Sequence, residues 1–194
     1  MCGRFQLLTT QELEEVKWIL DNLDREQAQK IMTGEIYPTN VVPVLMVRDG
    51  RIRPWAMTWG FPHFKGSGVI INARSESASE KPLFAGSVRQ SRCVIPGTGF
   101  FEWKKTGGQT KEKILFHLPD EPVLYMAGLY RNDGDESRFV ILTTAANTSV
   151  AGVHDRMPLI LRKPEIRRWM EDEPSARKLL AHHPQRPALT AEAV

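Results

Sequence analysis

Between Val41 and Leu161 the chain is interrupted again and again by turn signals, and this punctuation limits its fold more than any other feature. Asp49-Gly50, Gly60 with Pro62, Pro96-Gly97 with Gly99, Thr106-Gly107-Gly108, Asp120-Glu121-Pro122 and Asp133-Gly134 each close a short apolar or alternating run. Runs bounded in this way read as β-strands. They are Val41 to Val47, Arg51 to Trp59, Val69 to Ile71, Arg92 to Ile95, a strand from Phe100, Ile114 to Leu118, Val123 to Tyr130, Phe139 to Thr144 and Leu159 to Leu161. Helical patterns lie mostly towards the two ends. Thr9-Thr10-Gln11-Glu12 has the form of a capping box for a helix running to Met32, with Leu13, Val16, Leu20 and Leu23 at helical spacing. Pro164 and Pro174 each open a helix, through Met170 and Ala181. Ser77 to Ser87 is expected to be partly helical with a break at Pro82, and Ala145 to Val150 to be a short helix. Many short strands with helices around them predict an α+β fold: a mixed, curved β-sheet or open barrel with flanking helices.

Residues 1–194 are expected to form one domain, because no linker, repeat or low-complexity tract divides them. The segment 182–194 is polar and contains prolines, and is expected to be poorly ordered. Hydrophobic residues make up 41% and charged residues 25%, the balance of a soluble globular protein. No apolar run approaches the roughly 18 residues of a membrane span, and no secretory signal opens the chain. Cys2 and Cys93 do not form a disulfide framework, which points to a reducing cytoplasm. Cys93 reads as a small core residue. His182-His183 and the cysteines lack zinc-ligand spacing, so neither metal nor cofactor is expected. A net charge of +3 allows nucleic acid as a partner. A monomer is expected.

Chemistry begins at Cys2. A small residue behind the initiator normally lets Met1 be removed, which would leave Cys2 with a free amine and a thiol on adjacent carbons. Such a 1,2-aminothiol condenses with an aldehyde to an imine, and the thiol then closes on the imine carbon to give a thiazolidine. The second step is intramolecular and gains from tethering. An α-amine, with a reference pKa of about 7.7–8.0, is partly unprotonated near neutrality. Three further polar clusters stand beside apolar strands, where site residues are commonly carried. They are Asn72-Ala73-Arg74-Ser75-Glu76, Glu102 within Phe100-Phe101-Glu102-Trp103, and His154-Asp155-Arg156-Met157-Pro158. Each also has a structural reading: a strand cap for Asn72, a strand-edge carboxylate for Glu102, and a histidine bonded to Asp155 or the backbone for His154. The loop carrying Trp59, Phe61, His63, Phe64 and Lys65 suits base stacking and phosphate contact, or equally a loop pinned to the core by its aromatics.

Taken in order, Cys2-Gly3-Arg4-Phe5, Asn40-Val41-Val42-Pro43, Trp59-Gly60-Phe61, Asn72-Ala73-Arg74-Ser75-Glu76-Ser77, Gly99-Phe100-Phe101-Glu102-Trp103 and His154-Asp155-Arg156-Met157-Pro158 carry a resemblance. From Met1 to Leu161 the sequence resembles the SOS-response-associated peptidase family, the abasic-site processing proteins. The closing segment departs from the family pattern, keeping only His183-Pro184-Gln185-Arg186-Pro187, and Ser77 stands where threonine is more usual.

The resemblance implies binding of single-stranded DNA and capture of the aldehyde of a ring-opened abasic site by Cys2. The product is a thiazolidine crosslink that shields the lesion. It implies that Asn72, Glu102 and His154 line the site around Cys2, and that Arg4, Arg74 and Arg156 hold DNA phosphates. Asn40 and Trp59, from the matching tags, join the DNA-binding set. Within this reading Glu102 shuttles protons as acid and base, His154 serves a second proton transfer, and Asn72 orients the amine or a sugar oxygen. Two other readings stand beside it. One is a thiol peptidase built on Cys2, Glu102 and His154, acting on peptides or on Met1 alone. The other is a non-covalent single-strand DNA-binding module in which Cys2 is incidental.

Overall fold

The structure, a computed structural model, describes residues 2–9, 13–63, 66–108, 110–181 and 186–194. Its strands and helices run β1 (Phe5–Leu7), α1 (Glu14–Asp21), α2 (Arg25–Ala28), β2 (Gly34–Ile36), β3 (Val41–Arg48), β4 (Arg51–Trp59), β5 (Phe61–Pro62), β6 (Val69–Ile70), β7 (Asn72–Arg74), α3 (Ser75–Ala78) and α4 (Pro82–Gln90). They continue with β8 (Arg92–Gly97), β9 (Gly99–Lys105), β10 (Lys111–His117), β11 (Leu124–Asp133), β12 (Glu136–Ala145), β13 (Arg156–Pro158), β14 (Ile160–Leu161), α5 (Lys163–Glu171), α6 (Glu173–Ala181) and β15 (Thr190–Ala193).

The Asp49-Gly50 signal does what it predicts. Both residues have positive φ, 52° and 67°, the two-residue turn whose twist matches a hairpin. It sets Arg48 opposite Arg51 and carries the pairing on to Val41 opposite Thr58. From this hairpin a five-stranded ring is built, β12–β4–β3–β8–β11 and back to β12, antiparallel at every junction except β12 with β4. The sheet expected to be curved or an open barrel therefore closes on itself, and closure leaves the ring no free edge. Beyond its short contact with β4, the same edge of β12 takes β7, which places Asn72 beside Ile141. A second sheet, β15-β10-β9-β1-β2, is antiparallel throughout and carries the start of the chain at β1. Buried Arg92 docks two helices on the ring: its guanidinium donates to the carbonyls of Val88 and Arg89 at the end of α4 and of Trp169 and Met170 at the end of α5.

Four expectations change. The helix predicted from Thr9 to Met32 is two helices followed by a strand. The Asp24 side chain accepts from the Gln27 N–H and starts α2 afresh, and Gly34, at φ 84°, leads into β2. The capping-box residues Thr10, Gln11 and Glu12 lie outside the described residues. Pro82 starts α4 at the first-turn position instead of breaking a helix. In place of a helix from Ala145 to Val150, Ala145 ends β12 and the chain then turns, because Asn147 Oδ1 accepts from both the N–H and the hydroxyl of Ser149 and competes with helical bonding. The tail is ordered where it is described: β15 pairs with β10 from Thr190 to Ala193, Leu189 is buried, and Asn147 Nδ2 donates to the Pro187 carbonyl.

Trp59 joins the two sheets. It is 0% exposed, stacks on Phe139 of β12 at 6.3 Å, and meets Phe5 of β1 edge-on at 5.3 Å. Its indole N–H donates to the Ile71 carbonyl at 3.0 Å, one residue before β7. Next to it Gly60, at φ 114°, donates its N–H to the Phe139 carbonyl. A Cβ there would lie 2.7 Å from Val69 Cβ, so no other residue fits. Replacing Trp59 by Phe keeps an aromatic ring but leaves the Ile71 carbonyl unsatisfied and a void behind it. The expected loss is about 2–4 kcal/mol, or roughly 5–15 °C in thermal midpoint for a chain of this size. A melting curve that matches the parent protein would show that the indole is not an anchor.

Candidate active site

The four residues expected around the chain start arrive from four separate elements. Antiparallel pairing sets Phe5 opposite Phe100, and the Phe101 N–H donates to the Arg4 carbonyl at 2.9 Å, so the first residues run beside Glu102 and Trp103 of β9. Cys2 is 0% exposed. Its thiol points to the Arg4 carbonyl at 3.7 Å, and its own carbonyl accepts from Asn72 Nδ2 at 2.9 Å. Asn72 Oδ1 is buried and has no hydrogen-bond partner among the described residues. Glu102, opposite Ile114 of β10, is only 4% exposed. His154 comes from the turns after β12, where its N–H donates to the Val150 carbonyl. A cleft of about 580 Å³ opens here, walled by Glu102, Trp103, Lys104 and Lys111 on one side and Val153 and His154 on the other.

Burial governs the electrostatics. It pushes the Cys2 thiol up to about 12, with the nearby Glu102 charge adding to the rise and the Arg4 carbonyl bond opposing it. Burial likewise raises the Glu102 carboxyl above the usual carboxylate range, against the pull of His154. At His154, the Arg156 N–H donates to Nδ1 at 2.9 Å, while an Asp155 carboxylate oxygen lies 2.9 Å from the same nitrogen. The amide needs Nδ1 as an acceptor and the carboxylate needs it as a donor, so the two neighbours compete for one nitrogen. The site thus offers a neutral thiol, a carboxyl inclined to hold its proton, and an imidazole, which is equipment for proton transfer.

A family model described as "SOS response associated peptidase (SRAP)" matches residues 1–194. The chain belongs to the SRAP family. Among its curated relatives, the abasic site processing protein YoaM of Bacillus subtilis is 32% identical over 186 residues, covering 88% of this chain and 79% of that protein. The abasic site processing protein YedK of Escherichia coli is 29% identical, covering 92% and 83%. A crystal structure of a Bacteroides thetaiotaomicron protein shares the fold, with a TM-score of 0.80 at 23% identity over 100% of this chain and 92% of the other.

The SRAP residues expected at the DNA are not alike in their surroundings. Arg4 donates to Glu35 at 2.9 Å, and its guanidinium lies 4.2 Å from the Tyr37 ring centre and 4.9 Å from that of Trp103. Arg156 makes a two-toothed pair with Glu76 at 2.7 and 2.9 Å and donates to the Thr143 carbonyl. Arg74 is exposed at the end of β7. Asn40 closes a local turn, its Oδ1 accepting from the Tyr37 N–H. Trp59 requires a correction: sealed in the core, it presents no ring face to a base. Of the loop beyond it, Phe61 is buried, His63 is exposed, and Phe64 and Lys65 lie outside the described residues, as do His182 and His183. Sequence reasoning missed Lys104, Lys105 and Lys111 beside the cleft. Their signal was present as lysines on both sides of a Gly-Gly hairpin tip, which antiparallel pairing brings together.

A carboxyl whose native pKa is raised contributes stability below the ordinary carboxylate pKa and loses that contribution as pH rises through the raised value. Glu102→Gln, which carries no charge at any pH, is expected to melt above the parent at pH 7–8. That advantage should shrink as the pH falls towards 4. Thermal melts across this range check it; a constant offset would show that Glu102 is not held protonated by its surroundings.

Proposed function

We propose that this protein captures abasic sites in single-stranded DNA by covalent reaction at Cys2. The observation that supports the reading is the neighbourhood of Cys2: it is buried, its carbonyl is held by Asn72, and its thiol feels the charge of Glu102, which with His154 lines a cleft. The names of the curated relatives supply the substrate class.

In this mechanism Met1 is removed and the Cys2 amine is the first nucleophile. Burial pushes the thiol up to about 12 and keeps it neutral, so it does not lead the attack. The amine adds to the aldehyde carbon of the ring-opened sugar. Glu102, whose hold on a proton burial strengthens, donates to the departing hydroxyl, which leaves as water. The thiol then adds to the imine carbon and gives up its proton to the Glu102 carboxylate that the first step generated. The carbon exchanges its double bond to oxygen for single bonds to nitrogen and sulfur. One proton from nitrogen and one from sulfur leave with the oxygen as water, and nothing is oxidised or reduced. Asn72 fixes the Cys2 carbonyl with one amide atom, while Oδ1 stays available to accept from the amine or a sugar hydroxyl. His154 acts on the open sugar hydroxyl or in reversal of the imine.

The test is denaturing electrophoresis after incubation with a single-stranded oligonucleotide containing one abasic site. A shifted band is expected, absent for Cys2→Ala and for protein whose Met1 is retained. Glu102→Gln should slow its formation by about 100-fold or more, with binding of intact DNA preserved. No shifted band with the parent protein overturns the proposal, and peptide cleavage without a shift would favour the peptidase reading.

A further inference from the structure

The hairpin of β9 and β10 is charged in a way that the fold does not explain. Its register sets Lys105 directly opposite Lys111 and Lys113 opposite Trp103 on the same face, while on the other face Lys104 stands opposite Glu112. Like charges facing each other across an antiparallel pair oppose its formation. Lys113 is satisfied by Glu35 at 2.8 Å and by the Phe101 ring. Lys104, Lys105 and Lys111 are exposed, and no carboxylate among the described residues lies within ion-pair distance of them. All three wall the same cleft as Glu102 and His154. The contrast with two of the arginines is direct: Arg4 and Arg156 already hold carboxylates, whereas these lysines hold none among the described residues.

We propose that this hairpin is a phosphate-binding arm, on which Lys104, Lys105 and Lys111 receive the backbone of the DNA strand as it leaves the cleft. The inference rests on the DNA-capture reading above and adds which groups supply the charge. A phosphodiester between Lys105 and Lys111 relieves their repulsion, so the ligand completes a strand pair that is strained without it. Lysine suits this task, because a mobile point charge meets successive phosphates without demanding one geometry. Nothing in the arm reads bases, so its contribution is independent of sequence.

The experiment is fluorescence anisotropy with an intact single-stranded oligonucleotide across a salt series. It compares the parent protein, Lys105→Gln/Lys111→Gln, and Lys17→Gln/Lys178→Gln, which removes the same charge from exposed positions on α1 and α6. Loss of two phosphate contacts should flatten the slope of log affinity against log salt by about 1.4 and weaken binding roughly 10–30-fold at about 0.1 M salt. The control pair should follow the parent. Thermal melts supply a second readout, in which the hairpin variant should melt at or above the parent at low salt because the repulsion is gone. Equal loss in both variants, or an unchanged slope in the hairpin variant, overturns the arm and leaves the DNA-capture reading standing. A parent protein that crosslinks no abasic DNA and shows no salt-sensitive binding removes both.

Discussion

One buried indole sets the distances on which the site depends. The four candidate residues belong to β7, β9, the turns after β12 and the segment before β1, and the closed ring alone would not bring them together. Trp59 does so through three contacts. Phe5 lies three residues beyond Cys2, the Ile71 carbonyl belongs to the residue before Asn72, and Phe139 is in the strand that leads to His154. An indole buries more area than any other side chain and has one N–H that needs a partner, so it fixes direction as well as distance. Gly60 allows the approach by leaving room for Val69. Catalytic groups need placement within a fraction of an ångström, and here the frame is fixed by packing beneath the cleft.

The same burial that fixes position also selects the chemistry. Cys2 and Glu102 are both out of water, and desolvation moves both towards their neutral forms. For a thiol acting alone as nucleophile this would be a poor arrangement, since the thiolate is the reactive species. For an amine-first condensation it is a good one. In the proposed reaction a carboxyl with a raised proton affinity favours giving a proton to the leaving hydroxyl, and a neutral thiol is spared from side reactions until an imine stands beside it. The electrostatics therefore weigh against the peptidase reading, although the family's description carries that word.

How much of this was legible in the sequence follows the range of the interactions. Asp49-Gly50 and the positive-φ glycines at the β9–β10 tip are local devices, and their hairpins could be read directly. Closure of the ring was not legible, because it depends on β12 meeting both β4 and β11 across long stretches of chain. The helix from Thr9 was drawn too long because apolar spacing continues past Asp21, while the Asp24 cap restarts the chain in a new direction. The tail was misjudged because a short polar strand carries little pattern of its own; β10 supplies its partner. At the candidate site, the motifs single out Cys2, Asn72, Glu102 and His154, and the fold brings the Asn72 amide to the Cys2 carbonyl. Trp59 was placed on the wrong side of the surface, since a tryptophan beside glycine and basic residues looks the same whether it faces bases or core.

Under the DNA-capture proposal, the uneven state of the cations shapes how affinity would be divided. A phosphate approaching Arg156 meets a guanidinium whose two terminal nitrogens already hold Glu76, and it must displace that carboxylate or share with it. At Arg4 it meets a cation paired with Glu35 and enclosed by two rings. Such exchanges swap one anion for another, and their net gain is small however good the final geometry. An exposed lysine with no carboxylate gives up only water and diffuse counterions, and their release is what makes binding favourable and salt-dependent. Arg4 and Arg156 are therefore suited to fix the register of a strand that is already bound, their planar groups held in place by their partners. The hairpin lysines are suited to bring it there. Removing a carboxylate partner should accordingly act like freeing a cation: Glu76→Gln leaves Arg156 in place and tightens DNA binding, while steepening its salt dependence by up to about 0.7.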